Sequence, residues 1–202
     1  CCLTTLTWTI LAFFAGALPF SVWIGKLSLG EDIRRYGDGN PGATNVLRAG
    51  GRGWALLAAV LDMLKGALPV ALAYEVFDIQ NAGAIPIALA PLLGHRFSPL
   101  LKGHGGKGVA VTGGIWIGLT HGLGGAIGTL FLTVGYLLQD GDGWAVLLGL
   151  SSIAGYLVLF NQDWVLLTIW ALNSLVVLWS YREAFVERPH WRSWIRGEDP
   201  RP

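Results

Sequence analysis

Two polar, glycine-rich segments hold most of the side chains able to do chemistry. The first, EDIRRYGDGNPGATNVLRAGGR from Glu31 to Arg52, is too polar and too rich in glycine to face lipid as a helix. Gly37, Gly39 and Gly42 admit positive φ at little steric cost, while Asn40, Thr44 and Asn45 bring side-chain hydrogen bonds. A turn of this kind can present several backbone N–H groups to one anion. Arg48 adds a planar, permanent charge suited to a phosphate or a carboxylate. The plainer alternative is a connecting loop whose arginines only obey membrane topology.

The second segment, LGHRFSPLLKGHGGKGVAV from Leu93 to Val111, places GGKG where an apolar run begins. A helix N-terminus exposes unpaired N–H groups and a positive dipole end, and Gly105, Gly106 and Gly108 would let a phosphate come close to the backbone. Lys107 supplies a point charge. Gly103, Gly105 and Gly108 formally match G-x-G-x-x-G, but that fingerprint needs a preceding strand, and a membrane run precedes it here. A Walker A loop fails as well, because Gly108 follows Lys107 where Ser or Thr must hold magnesium. His95 and His104 flank the segment, and either could move a proton near neutral pH. Asp62 and Lys65, three residues apart, share one face of an apolar run and read as a neutralising pair turned towards the protein.

The elements that hold these segments follow from composition. Of 202 residues 53% are hydrophobic and 13% charged, with 10 Trp and 29 Gly, so the chain lacks the polar groups for a water-soluble surface. Apolar runs cover about residues 3–25, 53–75, 82–95, 108–120, 122–138, 144–160 and 164–180. The fold expected is an all-α polytopic membrane protein, residues 1–202 forming one domain of about seven transmembrane helices. The third and fourth runs fall short of the roughly 20 residues a crossing needs, so they borrow from neighbouring loops or one is re-entrant. The first run has no basic segment before it and is expected to be a retained helix rather than a cleaved signal.

Nearly every Lys and Arg lies in Lys26 to Arg52, Arg96 to Lys107, or Arg182 to Arg201. The positive-inside rule then puts these three segments and the C-terminus in the cytoplasm and the N-terminus outside. Trp54, Trp144, Trp164 and Trp179 stand at run ends as interfacial anchors. Gly113, Gly114, Gly118, Gly122, Gly124, Gly125 and Gly128 suit close helix packing in lipid. Cys1 and Cys2, adjacent and alone, exclude a disulfide framework and a cysteine metal site.

DIRRYGDGNPGATNVLR, DMLKG, LGH followed by GGKGVA, and more loosely YREAFVERPHWRSWIRGED resemble the bacterial acyl-phosphate-dependent glycerol-3-phosphate acyltransferases. The resemblance implies a seven-span enzyme of the bacterial inner (cytoplasmic) membrane whose site faces the cytoplasm. It would transfer an acyl group from acyl phosphate to the 1-hydroxyl of glycerol 3-phosphate, with no metal or coenzyme. Membrane lipid and other phospholipid-synthesis enzymes are the further partners implied, and a nucleic acid is not among them. Asp38, Arg48 and His95 would then be catalytic. Asn40, Thr44, Asn45, His104, Gly105, Gly106, Lys107 and Gly108 would bind substrate.

The chain departs from the family's motifs in three places. Asp38 replaces the Ser of GSGN with a carboxylate that repels phosphate unless paired with an arginine. Gly103 and His104 stand where an aromatic and a basic residue usually precede GGKG. Tyr181, Arg182, Glu183 and Ala184 replace a motif like H-R-E-N. The rival readings are a non-catalytic or altered-specificity member that binds phosphorylated lipid precursors or a partner, and an organic-phosphate transporter.

Overall fold

The computed structural model describes residues 2–196; Cys1 and the end of the third basic segment, including Arg201, lie outside the described residues. Helices follow the apolar runs: α1 (Cys2–Ala17), α2 (Phe20–Ile24), α3 (Ala43–Arg48), α4 (Arg52–Ala71), α5 (Ala84–Arg96), α6 (Val109–Leu119), α7 (Leu123–Leu138), α8 (Asp142–Tyr156), α9 (Trp164–Ser180) and α10 (Ser193–Arg196). Apart from an isolated antiparallel bridge between Gln139 and Trp191, the described chain is helix and loop.

Among the described residues, four helical stretches are long and apolar enough to cross a membrane: Cys2–Leu29, Arg52–Val76, Ala84–Leu101 and Asp142–Asn161. The third run thus borrows from the basic segment after it. Three apolar helices are shorter, with α6, α7 and α9 at 11, 16 and 17 residues. At 1.5 Å per residue, α6 rises only about 16 Å, roughly half a bilayer core. Its start is set by Gly108, which caps it at φ +86° and turns the incoming chain away from the helix axis.

The first apolar run is not one helix. Pro19 has no N–H to donate and interrupts it after Ala17. The backbone oxygens this frees find side chains: Ser98 Oγ donates to Ala17 O at 2.6 Å, and Lys65 Nζ donates to Leu18 O at 2.7 Å. Broken helices persist in lipid only when freed groups are repaired in this way.

The most extensive packing joins α4 to α6, α1 to α5 and α7 to α8. Glycines decide the first two contacts. A Cβ on Gly66 or Gly114 would overlap backbone of the facing helix, and so would one on Gly16 or Gly94. The packing role expected for Gly114, Gly118, Gly125 and Gly128 matches the crowded neighbours each has, whereas Gly113 has room. Trp116, fully buried, centres a core shared by α4, α5, α6, α8 and α9.

Asp62 and Lys65 pair as expected, Lys65 Nζ lying 2.6 Å from Asp62 Oδ1, both nearly inaccessible. Removing one partner leaves an uncompensated charge in a buried place. Asp62→Leu or Lys65→Met alone should therefore cost about 3–5 kcal/mol, and the two together much less. Thermal unfolding of the three variants in detergent checks this, and equal losses in all three would argue against pairing.

Candidate active site

The first glycine-rich segment folds as a compact knot, with one acid at its centre. Asp32 and Arg34 close its entrance with a two-pronged ion pair at 2.9 and 2.6 Å. Gly37 and Gly39 then turn the chain at φ +55° and +71°, while Gly42, at φ −129°, caps α3 in an ordinary conformation and does not use the freedom expected of it. A Cβ on Gly37 would overlap the Arg48 guanidinium, so the arginine lies directly on this turn. Buried Asn45 donates from Nδ2 to Asp38 Oδ1 at 3.1 Å and to Asn40 O at 2.9 Å, and accepts from Arg48 at 2.9 Å.

The second segment lies across this knot. Lys107 Nζ is 2.7 Å from Asp38 Oδ2, whereas Arg48 lies 3.7 Å from Asp38 Oδ1. Asp38 is thus held first by a lysine and only second by the arginine expected for it. Asn40 Oδ1 accepts from the Lys107 N–H at 3.0 Å, so the two segments are tied by one ion pair and one hydrogen bond. The face of Tyr181 lies 4.6 Å from Lys107 Nζ, close enough for a cation–π contact. Tyr181 therefore does specific work at a departing position, while Ala184 belongs to the hydrophobic packing near Gly143.

Burial raises the Asp38 pKa, but the Lys107 ammonium, the Asn40 N–H and the Asn45 amide more than offset it and hold the carboxyl below its ordinary value. A depressed carboxylate gives its stabilisation above the unfolded pKa of about 3.9 and loses it as pH falls through the lower folded value. The Asp38–Lys107 clasp is accordingly closed at neutral pH.

The GGKG turn differs from expectation in which N–H groups it leaves open. The N–H groups of Gly105 and Gly106 are spent on Arg96 O and His95 O at 3.1 and 3.2 Å, and that of Lys107 on Asn40. Gly105 and Gly106 are buried supports rather than the lining of the cavity. The open donors lie one turn later, in the first turn of α6, where backbone N–H groups have no partner within the helix. Gly108, Val109 and Ala110 from this turn line a cavity of about 280 Å³.

That cavity gathers Asn40, Thr44, His95, Lys107 and Gly108 from the expected site residues. Asp38, Asn45 and Arg48 stand behind its wall, and His104 points elsewhere, exposed, with Nδ1 on the carbonyl of Lys102 at 2.9 Å. Beyond the polar mouth the lining turns apolar and small, with Met63, Gly113, Gly125, Gly128, Leu132 and Ile153. Thr112 lines the same space, and its buried hydroxyl has no partner among the described residues. Sequence reading missed Thr112, Tyr136 and Tyr181 as lining residues, because helix register alone does not say which faces of α6, α7 and α9 converge. A mouth carrying the Lys107 ammonium and the N-terminus of α6 over an apolar hollow suits a molecule with a phosphate at one end and a hydrocarbon chain at the other.

Comparison with known proteins agrees with this chemistry. The family model for glycerol-3-phosphate acyltransferase matches residues 6–188. Glycerol-3-phosphate acyltransferase 1 of Deinococcus radiodurans is 36% identical over 181 residues, covering 90% of each chain. A glycerol-3-phosphate acyltransferase of Thermus thermophilus is 35% identical over 182 residues, again covering 90% of each. The crystal structure of an integral membrane glycerol 3-phosphate acyltransferase in its glycerol 3-phosphate form superposes with a TM-score of 0.83 at 27% identity, covering 98% of this chain and 94% of that one. Its lysophosphatidic acid form gives 0.82 at 25% identity over the same shares. The apolar helices and this likeness together make the molecule a multi-pass membrane protein.

Proposed function

Because the chain belongs to the glycerol-3-phosphate acyltransferase family, we propose that its polar mouth and apolar hollow bring glycerol 3-phosphate and an acyl phosphate together. The protein is an acyltransferase of phospholipid synthesis acting on glycerol 3-phosphate. The donor and the roles of individual residues are our reading. Lys107 and the first turn of α6 hold phosphate at the mouth, Asn40 and Thr44 complete the wall, and Asp38, Asn45 and Arg48 fix the position of Lys107 and the loop from behind. The acyl chain lies among the small residues of α6, α7 and α8.

In the transfer, the 1-hydroxyl oxygen forms a bond to the acyl carbonyl carbon and the bond from that carbon to the phosphate oxygen breaks. The hydroxyl proton leaves with the phosphate, giving lysophosphatidate and inorganic phosphate. Among the described residues, the two carboxylates nearest the cavity are already paired, Asp38 with Lys107 and Asp62 with Lys65. The protein's part is alignment and stabilisation of the developing charge. The observation that carries this reading is the Asp38–Lys107–Asn40 junction, which places a cation and the α6 N-terminus at the polar end of an apolar cavity. Turnover of acyl phosphate with glycerol 3-phosphate by purified protein tests it, and activity with another acyl donor alone would overturn the choice of donor.

The same reading puts residues 1–202 in one domain of the bacterial inner membrane, with seven crossings, the N-terminus outside, and the three basic segments and the site inside. Support comes from the clustering of Lys and Arg and from the seven apolar helical stretches. With Cys1 and Cys2 changed to Ser, single cysteines introduced at Gly39 and Gly103 should label from the cytoplasmic side only. Labelling of either from outside would reverse the orientation.

A further inference from the structure

Behind the cavity wall, the α4 pair extends into a buried chain of polar groups that the scheme above leaves unused. Lys65 Nζ has three neighbours, Asp62 Oδ1 at 2.6 Å, Leu18 O at 2.7 Å and His95 Nδ1 at 2.9 Å. Asp62 Oδ2 in turn accepts from Ser21 Oγ at 2.6 Å. An ammonium has three N–H donors and no acceptor. At 2.9 Å from that ammonium, His95 Nδ1 must offer its lone pair, so the ring proton sits on Nε2.

His95 is more than nine-tenths buried, yet its ring lines the cavity, and Nε2 has no acceptor among the described residues. The Nε2 edge lies beside Gly106, where a Cβ would overlap it, so this glycine makes room for the imidazole. His95 therefore lies under the GGKG turn, deeper than partly buried Lys107. An acyl phosphate spans this boundary: its phosphate belongs at the cationic mouth and its chain in the apolar hollow, so the carbonyl falls between them, beside His95.

We propose that Lys65 locks His95 as the neutral Nε2–H tautomer and that this N–H donates to the oxyanion developing on the acyl carbonyl. Lys65, Asp62 and Ser21 are positioning residues that act through the imidazole. With Nδ1 engaged and Nε2 already protonated, His95 has no site at which to take a proton. It is a donor of a hydrogen bond and not the general base that its residue type first suggests. The role rests on the acyl-transfer reading above, whereas the tautomer rests on geometry alone.

The experiment uses the full chain in detergent or nanodiscs. Nitrogen NMR of ring-labelled histidine, with the His95 signals assigned by their loss in His95→Gln, should show Nε2 protonated and Nδ1 bare in the wild type at neutral pH. The two tautomers should mix in Asp62→Asn/Lys65→Met. In kinetics, His95→Leu should lower kcat about 10²-fold, as removal of one oxyanion donor does, with KM for both substrates little changed. His95→Gln puts an amide N–H where Nε2 stood and should recover about tenfold of that loss, the scale of one hydrogen bond. An Nδ1–H tautomer in an active wild type would overturn the inference by itself, as would a loss confined to KM or a Gln variant no better than Leu. A wild type that transfers no acyl group to glycerol 3-phosphate would sink the functional reading and the oxyanion role together.

Discussion

Gly105→Val lowers acyl transfer by about 10³-fold or more, while the protein still inserts and loses about 1–3 kcal/mol of stability. A Cβ at Gly105 would overlap the carbonyl of His95 and lie 2.7 Å from that of Arg96, both backbone atoms that have no freedom to swing away. The turn must therefore move bodily. It carries Gly106, which fits against the His95 ring, and Lys107, which carries the mouth's charge, so both sides of the reacting centre are displaced at once. A shift of about 1 Å in a positioning group already costs around 10²-fold, and two independent groups shift here. Gly103 supplies the control: its φ is +79°, but a Cβ there would meet nothing within 4 Å. Gly103→Asn should cost about 1 kcal/mol of local strain and leave turnover close to wild type. If Gly105→Val retained wild-type kcat/KM, the turn would not be part of the site.

Lys107→Ala is the second large effect expected, a loss on the order of 10²–10³-fold in kcat/KM for glycerol 3-phosphate. One part is the charge-assisted contact with the phosphate, about 1.5–3 kcal/mol. The other is specific to this chain. Asp38 loses the ammonium 2.7 Å away and keeps only Arg48 at 3.7 Å, so its carboxylate faces the incoming phosphate less well neutralised. Asp38 is more than a third exposed, and water screens that repulsion to about 1 kcal/mol. Adding Asp38→Ser to Lys107→Ala should therefore recover about fivefold, whereas Asp38→Ser alone frees Lys107 from its counterion and should weaken acceptor binding less than Lys107→Ala does. Lys107→Arg should rescue only in part, since a forked guanidinium does not replace a compact ammonium in a crowded loop. Acceptor binding by Lys107→Ala equal to wild type would place the phosphate elsewhere.

The two predictions differ in how far the sequence foretells them. The expectation that Lys107 binds phosphate comes from a lysine in a glycine turn at the start of an apolar run. That Asp38 is its counterion does not, because 69 residues and two apolar runs separate them and no local rule links the two loops. Likewise Gly105 and Gly106 read as ligand-approach glycines, and the spacing is right for that. In the fold their N–H groups are used by His95 and Arg96, and the open donors belong to Gly108 and the first turn of α6. His104, equal to His95 on sequence, is separated from it by burial alone: one lies under the turn and the other in water.

What the sequence by itself determined was whatever depends on local chemistry and solvent preference. Its hydrophobic runs dictate helices in lipid, and its glycine-rich segments dictate polar loops between the runs. The Asp62–Lys65 pair was legible for the same reason, since three residues on a helix are neighbours wherever the helix goes. Only the tertiary structure decided which faces meet. It turned the Leu18 carbonyl, freed by the break at Pro19, towards Lys65, brought His95 of α5 to that ammonium, and closed Asp38 on Lys107. These contacts are set by close helix packing at Gly16, Gly66, Gly94 and Gly114, and such packing depends on the shape of two surfaces, which neither strand of sequence specifies until the other is beside it.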